Sequence, residues 1–395
     1  MRWASAHATN TDLVSAVAQA ADAVSVKLGQ AADIAFVFAS PHYGAQAKML
    51  PRLLAARLPV RVLLGCTAGG VIGGGRELEH QPALTLTAAS LPGVTFHSFA
   101  CETDDLPDAD AAPRAWHEAL GVPGDPVPHF VLLADPFSFQ AERLLDGLDY
   151  AYAQSVKIGG LASGAREPGG NVLVRGTEAL HTGAVGVAMS GDIVVETVVA
   201  QGCRPIGRTL QITRCDGHIL HELDGTPALQ VLQDIASDAP ARDQELIGQA
   251  LFLGLAMDEL ASEHRAGSFL IRNVLGIDPR HGAMAVGERL RNGQSVQFHV
   301  RDARTSADDL TALLGHFGDE PQAKDASGAL LFSCLGRGEH LYGEPDHDSN
   351  IFRRILGDLP LGGFFCNGEI GPVGGKTHLH GFTSSFGIFR PRSVA

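Results

Sequence analysis

Three stretches of the chain run in one order, each ending in a glycine-rich cluster directly after a short apolar run. Ile34–Phe38 has strand length, a helical segment follows to Leu58, and Val60–Leu64 then enters Gly65-Cys66-Thr67-Ala68-Gly69-Gly70. Phe130–Ala134, a helical stretch over 138–153 and Val156–Ile158 lead into Gly159-Gly160-Leu161-Ala162-Ser163-Gly164. Ala329–Cys334, a helical 348–357 and Pro360–Phe365 lead into Cys366-Asn367-Gly368. An alternating apolar segment follows each copy (83–89, 184–189 and 382–389), with the period of an antiparallel strand. Alternation of strands and helices is the signature of α/β architecture. The expected fold is therefore α/β, built of repeated strand–helix–strand–hairpin units that form mixed sheets in two domains.

The rest of the chain adds helices at 11–28, 226–237 and 306–317, the last expected to be capped by Ser306. Between the second and third copies, 269–275 and 295–300 read as strands. Residues 237–243 read as a linker or an internal turn, near a domain boundary expected within 215–245. A length of 395 residues makes two domains the natural expectation.

Apolar residues make up 45% and charged residues 19%, which is unlike a disordered chain. A formal charge of −14 disfavours partners that present phosphates, so neither nucleic acid nor an anionic membrane surface is expected. No signal-peptide pattern opens the sequence, and no apolar run reaches the roughly 20 residues of a membrane helix. The six cysteines form no CxxC pair and read as reduced thiols, which places the protein in the cytoplasm.

Five motifs bear on chemistry. Gly371-Pro372-Val373-Gly374-Gly375-Lys376-Thr377 looks like a phosphate loop. Ile370 stands where its first glycine belongs, however, and no helix follows, so it reads as a turn. The Gly65–Gly70 cluster lacks dinucleotide-fingerprint spacing and reads either as tight turns or as backbone that a ligand approaches closely. Arg337, just past an apolar strand, can fork onto a carboxylate or phosphate. Asn367 and Glu369, beside Gly362-Gly363-Phe364-Phe365, need polar partners if buried. His378 and His380 share a face if their segment is a strand, but two histidines are a weak metal signal.

These residues resemble the FIST family (F-box and intracellular signal transduction proteins) along nearly the whole chain. The likeness is carried by Leu330–Arg337, Leu341–Asp348, Gly362–Phe389, Gly65–Gly70, Gln201–Gly207, Ser268–Asp278 and Gln297–Asp302. The resemblance implies a FIST N-terminal domain over 1–222 and a FIST C-terminal domain over 223–395. It also implies a sensor of amino acids or related small metabolites. Many members are fused to output modules, and some are linked to haem or iron and sense nitric oxide. The sequence stops shortly after residue 390, so a stand-alone module with a separate signalling partner is expected. The ligand is expected to meet Gly65, Cys66, Thr67, Gly69, Gly160 and Ser163 from the first two clusters. Arg204, Arg272 and Asn273 would join them from the middle of the chain, with Arg337, Cys366, Asn367 and Glu369 from the third copy. Changes at Arg337 or Glu369 are expected to weaken binding without unfolding. No catalytic residue, metal or obligatory cofactor is expected. The rivals are a cysteine-dependent hydrolase (Cys66 or Cys366 with His347 or His380) and a haem sensor, which a visible spectrum would reveal.

Overall fold

A computed structural model describes residues 1–108, 110–258 and 267–392. The chain forms two compact units. The first gathers Met1–Val199, Thr311–Leu379 and Thr383–Ala395, and the second holds Ala200–Leu310 with His380–Phe382.

The first unit is built of three copies of one strand order. Copy one comprises β1 (Arg2–Ala8), α1 (Leu13–Leu28), β2 (Ile34–Ala39), α2 (Leu50–Arg57), β3 (Val62–Thr67), β4 (Gly70–Gly73), β5 (Arg76–Glu79) and β6 (Leu84–Ser90). Copy two repeats it with β7 (Val94–Cys101), α3 (Pro113–Leu120), β8 (His129–Ala134), α4 (Ala141–Ala151), β9 (Lys157–Leu161), β10 (Leu173–Arg175), β11 (Glu178–Leu180) and β12 (Ala184–Gly191). Copy three opens with β13 (Val194–Ala200) and is then interrupted by the second unit.

That unit contains β14 (Cys203–Asp216), β15 (Ile219–Leu223), β16 (Thr226–Pro227), α5 (Ala228–Asp238), α6 (Ala241–Gln249), β17 (Leu251–Ala256), β18 (Phe269–Asp278), β19 (Ala283–Val286) and β20 (Ser295–Arg301). Its strands pair in the order β14-β20-β17-β18-β19-β15-β16, and an added β14–β15 pairing closes an antiparallel barrel. Ile206, Leu210, Leu253, Val296 and Phe298 fill that barrel. Helix α7 (Ala303–Asp319) carries the chain back into copy three. There follow β21 (Gly328–Cys334), the single turn α8 (Glu339–Tyr342), α9 (His347–Leu356), β22 (Leu361–Cys366), β23 (Glu369–Val373), β24 (Lys376–His380) and β25 (Ser384–Arg390).

The three sheets of the first unit have one order: β1-β6-β2-β3-β10-β11, β7-β12-β8-β9-β23-β24 and β13-β25-β21-β22-β4-β5. The second and third strands of each copy pair in parallel, and the last strand of the copy lies antiparallel to the second. The hairpin after the glycine cluster leaves its own sheet. β4–β5 adds to copy three, β10–β11 to copy one and β23–β24 to copy two. The exchange closes a ring in which each copy completes its neighbour.

Both faces of the parallel strands are buried, which accounts for their continuous apolar character. Ile34, Phe36 and Phe38 of β2 face a core shared by all three sheets, together with Val131, Leu133, Leu330 and Phe332. Ala35, Val37 and Ala39 face α1 and α2 instead. Phe130 and Leu132 likewise meet α3 and α4. The same glycine recurs at one register position: Gly65 opposite Val37, Gly159 opposite Leu132 and Gly363 opposite Leu331. At each, a β-carbon would collide with the carbonyl oxygen of the paired residue. Repetition of that steric demand shows that the units are copies in geometry, as the sequence pattern predicts.

Several local expectations are refined. Gly374 and Gly375, at φ +61° and +83°, form the tight turn between β23 and β24, so the phosphate-loop look-alike is a hairpin. Residues 237–243 form the break between α5 and α6, an internal turn rather than a linker. Helix α7 starts before Ser306, which is buried inside it; the Asp302 carboxylate accepts from Thr305 N at 2.9 Å and Thr305 Oγ1 at 3.0 Å. Residues 222 and 223 both lie in β15, so the expected division between sequence modules falls inside the second compact unit.

Candidate functional site

The glycine clusters of the three copies converge, and they converge on one another. Gly69 N donates to Ser163 Oγ at 2.9 Å, and that hydroxyl donates to the Phe365 carbonyl. Gly164 N reaches Thr67 O at 3.2 Å, Asn367 N reaches Leu161 O at 3.0 Å and Leu161 N reaches Gly368 O at 2.9 Å. Thr67 Oγ1 accepts from Val172 N at 2.9 Å. A side chain at Gly160 would strike Cys366. Gly65, Cys66, Thr67, Gly69, Gly160, Ser163, Cys366 and Asn367 are therefore brought together in a seam whose polar groups bond between copies. Cys66 and Cys366 have no exposed surface, and burial pushes both thiols well above their ordinary value. A nucleophilic cysteine needs a stabilised thiolate, so neither thiol is poised for hydrolysis. Asn367 alone of this group is exposed.

Arg337 begins a second cluster. It follows β21 and is wholly buried. Its guanidinium forks onto Asp348, with Nε to Oδ2 at 2.9 Å and Nη2 to Oδ1 at 3.2 Å. His347 Nδ1 lies 2.9 Å from Asp348 Oδ1, and Ser384 Oγ donates to Oδ2 at 2.5 Å. Burial by itself would raise the Asp348 carboxyl. The Arg337 charge and the bonds from His347, Arg337 and Ser384 overcome that and hold it well below the carboxylate range. The fork that the sequence offers to a ligand is thus occupied from within. Glu369 is buried as well, and its Oε2 accepts from Thr383 N at 3.2 Å.

Three further carboxylates bind the same region together. Asp346, at φ +62°, precedes α9 and accepts from Glu77 N at 2.6 Å and Arg76 Nε at 2.7 Å. Glu79 Oε1 takes Glu339 N at 2.9 Å. Glu77 Oε1 takes Ser349 N at 2.6 Å, while its Oε2 has no partner among the described residues. Burial, then the Asp348 charge, pushes the Glu77 carboxyl up to about 8.

Ser349 also lines a cavity of about 360 Å³ shared by β1, the end of α1, the β4–β5 turn, α9 and the entry to β22. Trp3, held by stacking on Phe389 at 4.6 Å, leaves its indole Nε1 without a partner among the described residues. Ser349 Oγ has none within ordinary hydrogen-bond distance. Lys27 gives one bond to Ser5 O at 2.8 Å, and an ammonium has two further protons. Arg353 bonds Asn350 Oδ1 at 2.7 Å. Phe352, stacked on Phe386, and Leu361 supply apolar wall. The sequence reading missed Trp3, Lys27, Ser349 and Arg353, because positions so far apart share no local pattern. A lone tryptophan opening an N-terminal strand was the one available signal.

Arg204, Arg272 and Asn273 belong to the second unit. Arg204 pairs with Asp243 through both terminal nitrogens and approaches Asp302 at 3.5 Å. It borders a groove of about 680 Å³ along α5 and β14. Arg272 pairs with Glu288 at 2.9 Å, and Asn273 is exposed on β18. Among the described residues no group of three or more His, Cys, Asp or Glu is placed to hold a metal. His378 and His380 lie largely buried on β24, and neither cavity named here is lined by a histidine, so these sites do not fit a haem ligand. No helix among the described residues is long and apolar enough to cross a membrane.

Comparison with known proteins matches a FIST N domain to residues 33–226 and a FIST C domain to residues 228–372. An uncharacterized protein of Mycobacterium tuberculosis is 37% identical over 385 residues, covering 96% of this chain and 97% of its own. One from Mycobacterium bovis is 33% identical, covering 95% and 94%. An F-box/LRR-repeat protein of Arabidopsis thaliana shares 30% identity over 107 residues, 26% of this chain and 20% of its own. Among solved structures, cyanuric acid hydrolase from A. caulinodans covers 99% of this chain and 100% of its own, at a TM-score of 0.35 and 8% identity.

Proposed function

The chain belongs to the FIST family, and from that premise we propose that it is a ligand-binding sensor whose ligand, an amino acid or related small carboxylate, occupies the cavity behind Trp3. FIST domains imply a sensory role in signal transduction; the ligand and its place are our reading. The observation that carries it is the pairing of two buried hydrogen-bonding groups without partners, Trp3 Nε1 and Ser349 Oγ, with two cations, Lys27 and Arg353, around one cavity. Buried polar groups are normally satisfied, and an acceptor-rich anion satisfies these. A carboxylate would lie against Lys27 and Arg353, Asp358 at the rim would take an ammonium, and Phe352 and Leu361 would take an apolar side chain. A volume of about 360 Å³ falls at the lower end of small-molecule sites.

Signalling requires the ligand to bind two states differently. Helix α9 carries Ser349 and Arg353 and is pinned through Asp348, which makes it the element a ligand would bias. In this reading the signal passes to a separate partner. Thiols that form no disulfide among the described residues suit the reducing cytoplasm. The test is a thermal-shift screen of amino acids and small carboxylates on the wild type and on the Lys27→Met/Arg353→Met double variant. Ligand at about 100 times its Kd adds roughly 2.7 kcal/mol, a few degrees in Tm. A shift in the wild type that the variant loses supports the cavity. Equal shifts in both, or none with any compound, would overturn it.

A further inference from the structure

We propose that Glu77 is a proton-operated latch on the first turn of α9: protonated, it holds Ser349 and closes the cavity wall, and ionised, it releases that turn. The functional meaning rests on the cavity reading above; the latch itself does not. Its geometry is a single carboxyl on β5 whose Oε1 takes the Ser349 amide at 2.6 Å while Oε2 lies buried without a partner. Only 4% of Glu77 is exposed. One amide bond does not compensate an ionised carboxylate out of water.

The groups around it sharpen the conflict. From α9 and the residue before it come the Asp348 and Asp346 carboxylates, both of which disfavour a second negative charge. Arg337 is neutralised by Asp348. Arg76, next to Glu77 on β5, is committed to Asp346. His347 bonds Asp348, and Arg353 reaches past the Gly74-Gly75 turn. From β1, His7 sits at Gly73 O, and burial holds it below its ordinary value. Among the described residues no cation is thus paired with Glu77 itself. Swinging out to water lets the carboxyl ionise and frees the Ser349 amide, so opening releases one proton. A carboxylate ligand seated at Ser349 would favour the protonated, closed form, and its affinity would fall as pH rises.

The first-turn amides of α9 test this without any ligand. Glutamate in water titrates near 4.3, and the latched carboxyl near 8. Between those values the opening equilibrium rises about tenfold per pH unit. Chemical amide exchange also rises about tenfold per unit as hydroxide becomes more abundant. Hydrogen-exchange mass spectrometry on the full chain from pH 5.5 to 8 is therefore expected to show about hundredfold faster exchange per unit at residues 349–352. In Glu77→Gln, which keeps an oxygen for the Ser349 amide, the expectation is about tenfold per unit. In the unmodified chain the Glu77 side-chain carboxyl carbon, followed by NMR, should titrate near the upper end of that window. Equal slopes in the two proteins, or a carboxyl that titrates near 4.3, would overturn the latch. A failed ligand screen would remove the cavity reading and leave this result standing.

Discussion

Beyond the second unit inserted in copy three, copies one and two differ from it at the helix between the parallel strands. Helix α2 turns Leu50, Pro51 and Leu54 inward, and α4 turns Leu144, Leu145 and Leu148 inward. Helix α9 buries His347, Asp348 and Ser349 ahead of Ile351 and Phe352. The sheet beneath each helix has the same strand order, so the fold does not require this polarity. In two copies the helix is fastened mainly by apolar burial, which is non-directional and always favourable, although Asp149 of α4 adds an ion pair to Lys157. In the third it is fastened by ion pairs and hydrogen bonds, which depend on protonation and break when a partner leaves. A framework used three times shows where one copy has been adapted, and the cavity lies beside that copy.

The largest test of the contrast is Arg337→Ala. Removing one partner of a buried pair typically costs about 3–5 kcal/mol, and denaturant unfolding should show a loss of that size. The sequence reading expects weaker binding without unfolding at this position; an Arg337→Ala chain of wild-type stability would restore that expectation. On the apolar side, Leu148→Ala in α4 should cost about 2–5 kcal/mol with little dependence on pH, since it removes only packing. A marked pH dependence of that loss would erase the distinction between the helices.

Glu77→Gln should act in the opposite direction. A folded carboxyl raised above its unfolded value binds an extra proton between about 4.3 and 8, so wild-type stability drains as pH rises through that window. The variant should gain on the wild type across it, by at most about 4 kcal/mol at pH 8, seen as a rising difference in Tm. A constant difference would mean the carboxyl does not titrate there. Asp348 has the reverse sign, its contribution being lost only as pH falls below the ordinary carboxylate range. The smallest effect belongs to Lys27→Met/Arg353→Met. Both residues are exposed, so stability should change by no more than about 0.5 kcal/mol for each. Their signature is a lost ligand response, and a large loss of stability would make them structural.

The candidate site was legible only in part. Glycines at 65, 159 and 363 announce tight strand packing, and their clusters do converge, but a one-dimensional pattern does not distinguish glycine that admits a ligand from glycine that admits a neighbouring strand. Arg337 beside a glycine turn carries the same ambiguity. Its partner, Asp348, is eleven residues away and comes within reach only when α9 packs on the sheet. The interruption of copy three was legible as a long gap between copies, whereas its closed barrel was not.

The sequence by itself determined the elements. Apolar runs buried on both faces became parallel strands, Asp12 and Gly29 bounded α1, and Gly374-Gly375 forced a hairpin turn, because each depends on steric and hydrogen-bonding demands within a few residues. Only the tertiary structure decided which sheet each hairpin joins and which polar groups were left without partners. Strand pairing leaves open which of three equivalent edges a hairpin meets. A cavity walled by residues 3, 27, 74 and 349–361 exists only once those separate segments have packed.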